Sequence, residues 1–214
     1  MNELEKRNLV FKEGENYLLS QTGKILTLKL IDVIKTIATV NRYEKLWLDH
    51  EIGGIPEDLL KNIGDLSDST LVESASIDLA KTHATFMQLL SKAKEIRAIS
   101  SIFHLDYPEL FKKSVIKGIN IQLIVTNEVL KTMMKEVSQE IQEDLLSREN
   151  FTLWVTEEDV KVAFTVTDSY ISLGLFGIDG MYKYDRDLIS RDENAIRWGA
   201  KLFEHYLEKS KRVK

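Results

Sequence analysis

The stretch Val160–Gly177 reads VKVAFTVTDSYISLGLFG. Val160, Val162, Phe164 and Val166 alternate with Lys161, Ala163, Thr165 and Thr167, and a period of two is the signature of a half-buried strand. Asp168 and Ser169 interrupt the pattern with two turn-forming residues. From Tyr170 the alternation resumes, with Ile171, Leu173 and Leu175 on one face. Two alternating runs around a short polar break predict a β-hairpin. The apolar runs Ile96–Phe103, Ile119–Val125 and Phe151–Val155 are too short to stand alone, and the hairpin is the expected seed of the sheet they join.

Upstream of the hairpin the pattern predicts a strand–helix–strand unit. Asp106 is placed to cap a helix with Pro108 in its first turn and Gly118 just past its end. Strands joined by such a crossover run parallel. Further helices are expected over Asp78–Lys94 and Asn127–Arg148. Downstream, Met181–Leu188 reads as irregular or weakly extended. Ser190 and Glu193 form an S-x-x-E capping box for a final helix that buries Ala195, Trp198, Gly199, Leu202 and Tyr206. The basic end, Lys209–Lys214, reads as a frayed tail. The fold class is therefore α/β, a mixed sheet with flanking helices.

At the other end, Asn8–Phe11 and Tyr17–Ser20 flank Gly14 as a short hairpin. A helix is expected from about Thr22 through Leu48. Its apolar residues, from Ile25 to Ile37, spread over more than one face. A helix apolar on several sides is buried on several sides, and a second subunit is the natural cover, so a homodimer is expected. Gly53, Gly54 and Pro56 break the chain. They divide it into residues 1–52, hairpin plus linker helix, and residues 53–214, an α/β domain that opens with a helix at Glu57–Gly64 and a polar loop through Ser76.

Composition narrows the function. Of 214 residues 43% are hydrophobic and 29% charged, enough for a core and a solvated surface. The chain has no Cys, which excludes disulfides, thiolate chemistry and Cys-based zinc sites and fits a reducing cytoplasm. It opens without a signal-peptide core, and its apolar runs are too short to span a bilayer. A net charge of -5 and a pI near 5.5 do not suit general nucleic-acid binding.

From about Leu46 onward the chain resembles the sensor domain of archaeal winged-helix transcription regulators, the methanogenesis regulatory proteins of methanogens. The residues that carry the resemblance are IPEDLLKNIGDL, KAKEIRAISSIFHLDYPELF, INIQLIVTNEVL, KVAFTVTDSYISLGLF and ISRDENAIRWGAKLFEHYLEKS. It implies a regulator that senses a small-molecule effector and binds DNA through a winged helix. NLVFKEGENYLLSQTGKIL resembles the wing and the helix that leads to the sensor. The helices that precede a wing, including the one that enters the major groove, would have to fit in Met1–Arg7. The sequence thus reads as the later part of such a regulator, with weak or no specific DNA binding of its own.

The hairpin also resembles that of phospholipase-D-like enzymes, which carry His-x-Lys-x-x-x-x-Asp there and Gly-Ser-x-Asn behind it. Counting back from Asp168, Lys161 occupies the His position and Ala163 the Lys position, while Leu175 replaces the Ser after Gly174. Nucleophile and phosphate clamp are both missing, so no enzyme activity is expected and Asp168 reads as a turn residue. A phosphodiesterase and a ligand-free protein-interaction module are the alternatives. The four histidines, His50, His83, His104 and His205, show no zinc-protease spacing, and neither metal nor cofactor is expected. Gly174, Gly177 and Gly180 end a strand without opening a helix, so they suit a bulge or bend.

An effector site is expected where parallel strands end, since open α/β sheets bind ligands there. The candidates are His104, Thr126, Asn127, Thr165 or Thr167, and Thr156. Ser100 or Ser101 faces the same cleft, and Phe103, Phe164 and Trp198 are a possible apolar wall. Arg197, among the aromatics of the last helix, is a further candidate. Each has a plainer role: His104 bonded to backbone, Thr126 and Asn127 capping a helix. Only their convergence on one cavity, His104 with Thr126 above all, would make a site.

Overall fold

A computed structural model describes residues 2–74 and 81–213. A short helix α1 (Asn2–Lys6) precedes the expected hairpin, β1 (Val10–Glu13) and β2 (Asn16–Leu19), whose turn holds Gly14 at φ +63°. The linker helix is two helices, α2 (Gln21–Arg42) and α3 (Glu44–Asp49). Ser20 caps α2 by accepting the Gly23 N–H at 2.9 Å. The break falls at Tyr43, which leaves the helical region at φ -116° and ψ 32°, because its ring is buried and its hydroxyl reaches the Ser69 carbonyl.

After α4 (Glu57–Leu60) and a 3-10 turn at Ile63–Leu66 come β3 (Thr70–Glu73), α5 (Lys81–Leu90), β4 (Glu95–Ser100), α6 (Tyr107–Ile116) and β5 (Asn120–Thr126). Then follow α7 (Asn127–Glu136), α8 (Gln139–Leu146), β6 (Phe151–Thr156), β7 (Val162–Thr167), β8 (Ile171–Leu175), β9 (Arg186–Ser190), α9 (Glu193–Leu207) and β10 (Ser210–Arg212). The expected start of α5 at Asp78 lies outside the described residues. The long helix expected after β5 is broken at Val137 and Ser138, both extended.

Eight strands form one mixed sheet in the order β10-β6-β5-β4-β7-β8-β9-β3. β4, β5 and β6 are parallel neighbours, and the β7–β8 hairpin joins antiparallel beside β4. Alternation then sorts the side chains. Val162, Phe164, Val166, Ile171, Leu173 and Leu175 meet α9 in one core, while Ile96, Ala98, Ile121, Leu123 and Val125 meet α5 to α8 in the other. On α9, Trp198 donates to the Leu59 carbonyl at 2.9 Å and Tyr206 to the Gly54 carbonyl at 2.7 Å, so both aromatics are core residues with satisfied polar atoms.

Both edges of the sheet depart from the expectations. The polar loop contains edge strand β3, which pairs with β9, itself part of the stretch read as irregular. The basic tail is edge strand β10, paired with β6. Lys209 and Lys211 meet Glu158 and Glu157 at 3.3 and 2.9 Å, and Val213 packs on the second core. The capping box is not formed either. Asp192 caps α9, accepting the Asn194 N–H at 2.8 Å, while Ser190 ends β9 and accepts the Asp192 N–H. Among the described residues, no helix is long and apolar enough to cross a membrane.

Candidate functional site

The sheet face toward α5 and α6 is not filled evenly. Over β5 and β6, Leu123, Val125, Phe151 and Leu153 pack against Val129, Leu145 and their neighbours. Over β4, β7 and β8 the facing residues are small. The register sets Ala98 beside Thr165 and Thr165 beside Ser172, and sets Ala163 beside Gly174. Such a row leaves a void that helices cannot close. A cavity of about 170 Å³ occupies it, with Ala98, Ser100, Ala163, Thr165, Ser172 and Asp187 as its floor. Phe86 and Phe111 supply apolar walls, His83 and His104 stand at the helix side, and Tyr182 and Tyr184 close it from the loop after β8. A side chain on Gly174 would collide with the Tyr182 hydroxyl, so the bare backbone there admits the tyrosine.

Asp187 is the one carboxylate of this floor among the described residues. It is 6% exposed and accepts a hydrogen bond from Ser172. Burial pushes its carboxyl up to about 7, partly offset by the Ser172 hydroxyl. Burial also raises the Tyr107 hydroxyl to about 12 and pushes the Tyr182 hydroxyl well up, with the Asp187 charge adding to both. The cavity therefore offers one carboxyl and tyrosine hydroxyls but no lysine or arginine among its described lining residues, unlike a phosphate cradle.

The expected site residues divide. His104 and Thr165 line the cavity, as does Ser100. Thr126 does not: it caps α7, accepting the Val129 N–H at 3.3 Å. Asn127 is the first residue of that helix and Thr156 binds the Glu158 N–H. Arg197 lies on the exposed side of α9, paired with Glu193 and Asn194. Trp198 belongs to the core on the other sheet face, whereas Phe164 belongs to that core and also borders the cavity. The expected convergence of His104 with Thr126 is thus corrected. The ends of β5 and β6 are covered by α7 and α8, and the opening lies over β4 and the antiparallel strands.

Three residues at or beside the cavity are not singled out by the sequence reading. Asp187 lies in a stretch whose pattern reads as irregular, and His83 is one of four scattered histidines. Asp106, expected to cap α6, makes no side-chain cap bond. Its Oδ2 stands 3.4 Å from His83 Nε2 and 3.6 Å from His104 Nδ1. Lys161 turns away from the cavity, to Asp159 at 3.2 Å and over the Phe176 ring. Asp168, in the β7–β8 turn, accepts the Lys94 backbone N–H at 2.8 Å and ties the turn to the segment before β4.

The cavity's walls thus lie between β4 and the loop after β8, on a chain whose residues 79–209 match the family model of the methanogenesis regulatory protein FilR1, middle domain. The chain belongs to the FilR1 middle-domain family. It is 29% identical over 210 residues to methanogenesis regulatory protein FilR1 of Methanothrix harundinacea, covering 96% of this chain and 47% of that one. The chain therefore spans about half the length of that relative. Its fold is similar to that of TrmBL2, an archaeal chromatin protein, with TM-score 0.55 and 15% identity over 99% of this chain and 80% of that one. The fold is also similar to phosphatidylserine synthase of Haemophilus influenzae, with TM-score 0.51 and 11% identity over 68% of this chain and 40% of that one. In this FilR1-family chain Ala163, on the β7–β8 hairpin, lines the cavity.

Proposed function

We propose that the chain is the effector-sensing and dimerisation part of a transcription regulator whose complete form binds DNA in the cytoplasm. Residues 1–52 act as wing and linker, and residues 53–214 as sensor. The observation that carries this reading is the double role of the loop after β8. Tyr182 and Tyr184 wall the cavity, and the same loop clasps α3. Glu51 N–H donates to the Phe176 carbonyl at 2.8 Å, Ile178 N–H donates to the Asp49 carbonyl at 3.1 Å, and Arg186 meets Asp49 at 3.3 Å. A ligand that repositions the tyrosines moves the support of α3, and with it α2 and the wing.

The cavity is smaller than the roughly 300–1,000 Å³ of drug-sized pockets, so the effector is a compact metabolite. Asp187 favours a hydroxyl or amine on it over a phosphate or carboxylate. A thermal-shift screen of small polyols, amines and organic acids tests this. A true effector raises the melting temperature of the wild type and leaves Ala163→Trp, whose indole fills the floor, unmoved. It also slows amide exchange in α3. Stabilisation that persists in the Trp variant places the ligand elsewhere and defeats the reading.

Non-enzymatic function is part of the same proposal. With Lys161 outside and Ala163 inside, the cavity holds no phosphate-clamping lysine at these positions, so purified protein should not turn over bis(p-nitrophenyl) phosphate. Turnover that survives repurification and is lost in Lys161→Ala would restore the phosphodiesterase alternative.

A further inference from the structure

We propose that His83, His104 and Asp106 form a binding site for a divalent transition-metal ion of the zinc type, beside the effector cavity. The three residues come from separate elements: His83 from α5, His104 from the segment after β4, and Asp106 from the start of α6. Their ligand atoms all lie within 4.8 Å of one another. Around a tetrahedral zinc ion with bonds of about 2.0–2.1 Å, neighbouring ligand atoms are about 3.4 Å apart. The two distances from Asp106 Oδ2, 3.4 and 3.6 Å, match that edge. The imidazoles are stacked with centroids 4.3 Å apart, so both rings are already drawn to one side of the carboxylate.

Two details point to a ligand rather than to a chance cluster. Asp106 occupies the N-cap position of α6 yet leaves the cap unmade, and turns its carboxylate to the histidines. His104 Nδ1 accepts the Asp106 backbone N–H at 3.2 Å, which holds that nitrogen toward Asp106, on the side where an ion would sit. When the ion binds that nitrogen, the N–H at the exposed helix start returns to water. The side chains of His83, His104 and Asp106 are 32%, 44% and 60% exposed, which leaves an entry path. Two imidazoles with one carboxylate suit zinc, cobalt or nickel over calcium and magnesium, which prefer oxygen alone. Three protein ligands leave a fourth position open. Because His83 and His104 also line the cavity, that position is available to a cavity ligand. The proposal stands whatever the cavity binds.

Calorimetric titration of the chelator-treated chain with zinc chloride at pH 7.5 tests it. The expected result is one ion per chain, with binding weakened in acid because a metal and protons compete for the same ligand atoms. Cobalt should give the intense visible bands of a tetrahedral site. His83→Ala, His104→Ala and Asp106→Ala should each weaken zinc binding by at least the roughly 10–100-fold that loss of an outer-shell partner costs. Metal-free melts of these exposed-site variants verify that they fold. No binding, binding unchanged in all three variants, or equal affinity for calcium would overturn the site.

Discussion

Light scattering of the purified chain should give twice the chain mass, and Leu30→Glu combined with Ile37→Glu should give monomers. The reason is the inverted face of α2. The helix turns Gly23 and Thr39 inward, while Leu26, Leu30, Val33, Ile37 and Val40 are 43–58% exposed. Their spacing, four and three residues in alternation, is that of a coiled-coil seam, which a second copy of the same helix fits. Full burial of such a side chain contributes about 1.5–3 kcal/mol, and about half remains to be gained at each of ten positions in a dimer. That sum is comparable with the roughly 4–15 kcal/mol cost of association; Ile25, Leu28, Ile31 and Ile34, 43–65% exposed, lie on other sides of the helix. Two glutamates per helix place four charges in the seam, each costing several kcal/mol to desolvate. The sensor core does not involve these positions, so the variant should keep its helical circular dichroism. A wild type that stays monomeric at tens of micromolar would contradict the proposed dimer.

Asp187→Asn should raise stability at pH 8.5 and change it little at pH 4. Burial lifts the folded-state value of Asp187 to about 7, above the usual value near 3.9 in the unfolded chain. Between those values the folded state holds the proton more tightly, so the stability of the wild type falls as pH rises through this window and the loss is complete above it. A gap of about three units corresponds to at most about 4 kcal/mol, or up to about 8–16 °C in melting temperature for a chain of this length. Asparagine keeps an acceptor for Ser172 and carries no charge. The groups facing Asp187 in the cavity, Tyr107, Tyr182, Tyr184, His83 and His104, include no lysine or arginine to hold its charge. The same substitution should abolish stabilisation by an amine effector. A stability difference between variant and wild type that does not change with pH would show Asp187 to be solvated.

The two substitutions bear on how much the sequence could tell. Alternation identified the β7–β8 hairpin, and cap and breaker residues located the strand–helix–strand unit, because these patterns arise from neighbours along the chain. The exposed face of α2 was legible for the same reason. Edge strands were not. β3 and β10 are only four and three residues long and join the sheet edges by backbone bonds to β9 and β6; although Leu71 and Val72 pack on the two cores, strands this short leave no periodic trace. Among the site residues, His104 and Thr165 were legible from strand ends and alternation, but Thr126 was assigned to the cavity on a rule for parallel strands alone. Tertiary packing moved the opening to β4 and the antiparallel strands, where Ala98, Ala163 and Gly174 leave volume unfilled. Asp187 gained its raised proton affinity only through burial beside Ser172. His83 met His104 and Asp106 only once α5 had packed beside α6. Local order followed from contacts a few residues apart, whereas the cavity and the histidine cluster depend on which distant side chains fail to fill, or happen to share, the same space.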